Sequence, residues 1–128
     1  MLRGGQPVLA LGVPGGARIT TAMVQVLLDR LALNRPLADA IGDTRIHFVA
    51  PTRQAEAASF EAEKSLASDL AAGLRTRGWK VELPEEPGRG RHFGGVNAIE
   101  FNSDVMPAGA ASLTGYADPR RTNAAVGY

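Results

Sequence analysis

Two adjacent glycines, in the stretch Pro14-Gly15-Gly16-Ala17-Arg18, stand between an apolar run and an amphipathic one. A strand that turns through such a pair into a helix exposes the first backbone N–H groups of that helix, which have no intrahelical acceptor and lie at the positive end of its dipole. With no side chains at Gly15 and Gly16, a ligand atom can approach those amides closely. Two N–H groups aimed at one point are what an oxyanion hole consists of. The same pair could equally serve only to turn the chain tightly between strand and helix.

The other candidates for chemistry are thinner. His47 and His92 are far apart and have no metal-spaced neighbours, so they are read as structural or exposed, and no metal or cofactor is expected. Thr20 and Thr21 raise the question of a threonine nucleophile. Such nucleophiles use their own free α-amine as the base, and cleavage before either threonine would discard the glycine loop and the strand together, so both are read as first-turn helix residues. Asp118-Pro119-Arg120-Arg121 reads as a turn whose carboxylate pairs with a guanidinium. Arg89 and Arg91 are expected to be solvated, and no G-x-S-x-G occurs.

The elements that must position these residues follow from periodicity. Pro7 to Val13 is apolar without alternation, the pattern of a strand buried on both faces in mid-sheet. Ile19, Ala22, Met23, Val26, Leu27 and Leu31 form one helical stripe, with Thr21, Gln25 and Asp29 on the other face, and the helix is expected to end near Asn34 and Arg35 because Pro36 disfavours helical geometry in the residue before it. A short helical turn is expected at 36–41, a brief strand at 45–49, and a second helix over 54–76 carrying Leu66, Leu70 and Leu74 and capped by Gly78. Trp79 to Leu83 alternates as a strand, 85–95 reads as a mobile loop, Gly95 to Phe101 as another strand, 102–109 as a turn, and Ser112 to Ala117 as its hairpin partner. The order β, α, β, α and three strands predicts an α/β (α+β) sandwich with helices packed on a sheet.

Composition sets the outer limits. The 128 residues amount to a single domain or fragment, with 45% hydrophobic and 21% charged residues, enough for a packed core. A formal net charge of +1 gives no field to draw the chain to nucleic acid or an anionic membrane, and neither is an expected partner. Absent cysteine excludes disulfides, thiolate nucleophiles and Cys-ligated metals without fixing a compartment. No run approaches the ~20 apolar residues of a membrane span, and the first residues lack a signal peptide's basic and apolar regions, so the localisation is left open.

Several of these segments taken together resemble one family. Leu11 to Ile19, followed by Gln25-Val26-Leu27, is similar to the Gly-x-Pro-Gly-Gly-Ser-Arg-Ile segment of gamma-glutamyltransferases, also called gamma-glutamyltranspeptidases. Arg45-Ile46-His47 resembles that family's Pro-Arg-Phe-His, Leu74 to Val81 its Leu-x-x-x-Gly-His-x-Val, and Gly94 to Glu100 its Gly-x-Val-Gln-Ala-Ile. The end, from Ala117-Asp118-Pro119-Arg120-Arg121 through Ala125-Val126-Gly127-Tyr128, is similar to the family's carboxy terminus. Ala17, Thr44 and Trp79 stand where the family has Ser, Pro and His.

The resemblance places the chain as the C-terminal portion of the small catalytic subunit. It implies an N-terminal-nucleophile (Ntn) hydrolase fold of αββα layers, in which a threonine attacks γ-glutamyl amides of glutathione-like substrates. It also assigns the oxyanion hole to the backbone N–H groups of Gly15 and Gly16, while other substrate-binding residues stay unknown. The family's threonine, its α-amine-binding acid, its paired serines and the large subunit's arginine would lie outside this chain. The expected partners are therefore a γ-glutamyl small molecule and the rest of the enzyme, namely the large subunit and the N-terminal part of the small one, or else self-association through an open sheet edge. The alternative is a catalytically inactive anion-binding or interaction module. A nucleotide site at Pro14 to Arg18 is disfavoured, because no phosphate-binding lysine or G-x-G-x-x-G is present.

Overall fold

The computed structural model describes residues 1–53, 57–84, 93–102, 112–122 and 124–126. A two-residue ribbon, β1 (Leu2–Arg3) with β2 (Gln6–Pro7), leads into β3 (Leu9–Gly12). A 3-10 turn, Gly16–Arg18, then opens α1 (Ile19–Leu31), and α2 (Leu37–Gly42) follows Pro36. Next come β4 (Ile46–Val49), β5 (Ser59–Ala62), α3 (Ser68–Thr76), β6 (Lys80–Glu82), β7 (Asn97–Asn102) and β8 (Ser112–Ala117).

The strands make two three-stranded sheets. In one, β7 lies between β3 and β8 and is antiparallel to both, with Leu11 opposite Ala98 and Ala98 opposite Tyr116. In the other, β5 lies between an antiparallel β4 and a parallel β6, with α3 as the crossover. The core forms where Val26 of α1 and Leu37, Ala40 and Ile41 of α2 meet Leu9, Val96 and Ala98 of the first sheet. Each of these seven side chains is at most 5% exposed. On the second sheet, Phe48, Phe60 and Trp79 pack edge to face with centroids 5.0 to 6.2 Å apart.

Several expectations hold. The first helix forms but ends at Leu31, three residues before the expected Asn34, the short turn at 36–41 is α2, and Gly78 ends α3 at a φ of 85° with Trp79 N donating to Leu74 O at 3.1 Å. Strands at 46–49, 80–82 and 97–102 and the hairpin partner at 112–117 are all present. The loop over 85–92 and the turn over 103–111 fall outside the described residues.

Three expectations are corrected. The first apolar run is an edge strand in this chain and buries one face, because Leu9 and Leu11 point inward while Ala10 and Gly12 point out. The span 54–76 is not one helix. Its middle is β5, whose Ser59 and Ala62 are buried where β4 pairs with them, and helix begins only at Ser68 with Ala71 as the buried contact. Leu70, assigned to an apolar stripe, is 55% exposed. Finally, Thr21 and Gln25 do not face solvent but hydrogen-bond to β4.

Candidate active site

The loop after β3 is set by contacts that only glycine permits. Pro14 O accepts a hydrogen bond from Gly95 N at 3.3 Å, and this draws Gly15 against Gly94. A Cβ on Gly15 would lie 2.9 Å from Gly94 Cα, and one on Gly94 would lie 2.6 Å from Pro14 O, so neither position has room for a side chain. Gly16 has a φ of 59°, in the left-handed region, and sits exposed at the start of the 3-10 turn. Among the described residues no backbone carbonyl accepts from the N–H of Gly15 or Gly16. The loop thus presents two consecutive donors just ahead of a 13-residue helix whose positive end lies beside them.

Behind the loop, α1 is fastened to the second sheet by a polar stripe at Arg18, Thr21 and Gln25. Arg18 Nε donates to Glu61 Oε2 at 2.9 Å, and Thr21 Oγ1 lies 2.9 Å from His47 Nδ1. Gln25 accepts from Ile46 N at 3.0 Å and donates to Ile46 O at 2.7 Å, so one side chain fills the place of a neighbouring strand along β4.

A buried group of four charges lies farther along the same sheet. Arg45 is 1% exposed, Asp118 0%, Glu63 7% and Arg120 9%. Asp118 accepts from Arg45 Nη2 at 3.2 Å, Val96 N at 2.8 Å, Arg120 N at 2.9 Å and Arg120 Nη1 at 3.1 Å. Glu63 accepts from Arg45 N at 2.7 Å and is paired with the Arg120 guanidinium. The arginines also donate to the last carbonyls of α2, at Ala40, Ile41 and Gly42, which closes the helix end. Burial pushes the Arg45 guanidinium below the usual arginine range, and the like charge of Arg120 adds to that. Burial pulls Arg120 down too, but its hydrogen bonds and charge pairing with Glu63 outweigh it and leave it raised.

Comparison with known proteins decides the family. The Gamma-glutamyltranspeptidase family model matches residues 1–128. This chain belongs to that family. Among curated relatives it is 33% identical over 110 residues to the Acylase ACY 1 proenzyme of Pseudomonas sp. (strain SE83), covering 86% of this chain and 18% of that one. It is 28% identical over 104 residues to the Glutathione hydrolase proenzyme of Pseudomonas aeruginosa, covering 81% and 17%. A highly active mutant of the Gamma-glutamyltranspeptidase of Pseudomonas nitroreducens superposes with a TM-score of 0.80 at 25% identity, covering all of this chain and 59% of that chain. The chain therefore spans less than a fifth of those curated relatives. Its α+β fold is that of the Ntn-hydrolase gamma-glutamyltranspeptidases.

In this family member the glycine loop and the buried charges are separate features that meet at the 94–96 segment, where Gly95 N bonds to Pro14 O and Val96 N to Asp118. A hollow of about 460 Å³ lies on the outer face of the β3, β7, β8 sheet, walled by Ala10, Ile99, Gly115 and Ala125 among others. A second, of about 410 Å³, lies near β1 and Arg30. Gly15 and Gly16 line neither. Of the residues singled out in the sequence, Thr20 and Thr21 do occupy the first turn of α1, and Asp118 does sit in a turn with its carboxylate on a guanidinium. His47 bonds to Thr21, whereas His92, Arg89 and Arg91 lie outside the described residues. Sequence reasoning missed Glu61 and Glu63, and it included Arg45 and Gly94 only within family-like stretches, without a role. Only the spacing of Arg18, Thr21 and Gln25, a second stripe beside the apolar one, could have announced that α1 has partners on two sides.

Proposed function

We propose that this chain supplies the oxyanion hole of a γ-glutamyl transfer enzyme, as the C-terminal portion of its small catalytic subunit. The observation that carries the reading is the pair of consecutive N–H groups at Gly15 and Gly16, without internal acceptors among the described residues and at the amino end of α1. A threonine hydroxyl from outside this chain attacks the γ-glutamyl carbonyl carbon. As the C–O bond forms, the carbonyl oxygen gathers negative charge and is met by the two amides. Collapse of that tetrahedral species expels the amine, which takes up the proton the threonine hydroxyl gave up on attack, and leaves a γ-glutamyl ester. A water or amine acceptor then reverses the steps past the same two donors. Preorganised donors of this kind are worth about 10²- to 10³-fold in kcat each, because they need no reorganisation when the charge develops. The names of the relatives, an acylase and a glutathione hydrolase, are consistent with acyl transfer, and the family model favours γ-glutamyl as the acyl group.

The partner in this reading is the remainder of the enzyme, which would roof the loop and bring the nucleophile. One observation favours a second reading, an inactive anion-binding or interaction module: neither hollow is walled by Gly15 or Gly16. Hydrolysis of γ-glutamyl-p-nitroanilide separates the two. The purified 128-residue chain is expected to show no turnover above background, and the whole protein that carries it is expected to turn over. A whole protein that leaves the anilide untouched would favour the inactive module.

A further inference from the structure

We propose that the Arg18–Glu61 ion pair is the tether that fixes where the Gly16 amide points, so that both side chains are positioning residues for the oxyanion. Its catalytic consequence rests on the oxyanion reading above, while its structural content does not.

A loop of two glycines does not hold its own direction, since glycine has more backbone conformations to lose than any other residue. On its upstream side the loop is braced by the bond from Gly95 N to Pro14 O. Downstream, Gly15 O accepts from Arg18 N at 3.3 Å, and Gly16 O accepts from Ile19 N, so Arg18 closes the turn that contains Gly16. Whatever holds Arg18 therefore holds the planar Gly15–Gly16 peptide unit and with it the Gly16 N–H, whereas the Gly15 N–H shares its unit with Pro14 O and is set by Gly95.

What holds it is the middle of the second sheet. Both Nε and Nη2 of Arg18 reach the same Glu61 oxygen, Oε2, with the two side chains 22% and 16% exposed. Glu61 belongs to β5, which has a strand on each side, so the anchor does not swing as an edge residue would. Register places His47 of β4, Glu61 and Glu82 of β6 in one row on one face of that sheet. Arg18 brings a cation to Glu61, while Glu82 in the same row is paired with Lys80 at 2.8 Å, and Thr21, one turn on, meets His47 in that row. Half-buried pairing between a helix start and a central strand differs from a surface salt bridge, because neither end is free to follow the other. The Ala17 side chain between the glycines and Arg18 is exposed and offers no competing anchor.

The test reads the amides directly. Heteronuclear NOE and amide shifts would be recorded at Gly15 and Gly16, with amide exchange in the core as the control, in the 128-residue chain and in Arg18→Met, Glu61→Gln, Arg18→Lys, and the swap Arg18→Glu with Glu61→Arg. In the single neutralising variants the Gly16 amide is expected to lose heteronuclear NOE and to shift its resonance, with Gly15 changing less, while core amides such as Val26 keep their protection. Arg18→Lys is expected to fall between, and the swap to restore the wild-type pattern. In the whole enzyme the neutralising variants are expected to lower kcat about 10- to 100-fold at an unchanged KM, the signature of misplaced groups that act only in the transition state. An unaltered Gly16 amide in folded Arg18→Met and Glu61→Gln chains would overturn the tether, as would a swap that leaves the loop loose. Should the single variants not fold, the swap decides by the same criterion, and a swap that also fails to fold counts against the proposal. A Gly16 amide that loosens and recovers as stated, in an enzyme whose kcat does not move, would support the tether and remove the oxyanion reading instead.

Discussion

Replacing Asp118 by alanine removes the centre of the buried charge group, and the cost can be worked from what it leaves behind. The carboxylate satisfies Val96 N at 2.8 Å and Arg120 N at 2.9 Å, and it lies against the Arg45 guanidinium at 3.2 Å. All four charged members of the group are at most 9% exposed, so water does not readily take its place. Removing one partner of a buried pair costs about 3 to 5 kcal/mol, chiefly as the penalty of the stranded charge. Each orphaned buried amide costs about 1 to 3 kcal/mol. These losses overlap, and we take about 4 kcal/mol for the sum, a large part of the ~5 to 15 kcal/mol that holds a domain folded. With a urea dependence of about 1.5 kcal/mol per molar, the midpoint should fall by about 2.7 M. Fluorescence of Trp79, the single tryptophan, packed on Phe60 at 5.0 Å, reports the transition. Adding Arg45→Met to the variant should recover part of the loss by removing the stranded cation. A midpoint shift of about 0.3 M or less, equivalent to the ~0.5 kcal/mol of a surface substitution, would refute the reasoning, as would a double variant less stable than Asp118→Ala alone.

Other perturbations follow the same logic. Gly94→Ala puts a Cβ 2.6 Å from Pro14 O at a φ of 78°, so strain and overpacking should cost about 2 to 4 kcal/mol in chemical denaturation and shift the Gly15 amide resonance. Gln25→Ala strips Ile46 of its side-chain partner, and the Ile46 amide should exchange faster than its β4 neighbours with a global loss of about 1 to 2 kcal/mol. Asp43 is held below the usual carboxylate value of 3.8, first by its hydrogen bond from Arg35. A depressed folded pKa means that this contribution is present above pH 3.8 and is lost as pH falls through the lowered value. Arg35→Gln should therefore flatten the acid limb of a stability profile below that point and leave the profile above it parallel to wild type.

How much of this was legible depended on range. The first helix, the short turn after Pro36 and the Gly78 stop were readable because local spacing, proline and glycine act within a few residues of themselves. The strand at Ser59–Ala62 was not, since Ser-Phe-Glu-Ala has no strong strand propensity and becomes a strand only by pairing with β4 and β6. The Asp118 turn was readable as a turn, but nothing near it points to Arg45, 73 residues away, or reveals that both are buried. Gly15 and Gly16 stood out by type, whereas Gly94 is informative only once Pro14 is seen against it. Thr21 and Gln25 were assigned to an outer face because one helix was read against one sheet, and the chain builds two.

The most direct test of the central claim exchanges the Gly16 amide for an ester by semisynthesis, replacing one N–H with an oxygen while leaving the φ of 59° accessible. In the whole enzyme, γ-glutamyl-p-nitroanilide turnover should then lose about 10²- to 10³-fold in kcat with KM little changed. A kcat within twofold of the unaltered enzyme would contradict the assignment of Gly16 to the oxyanion.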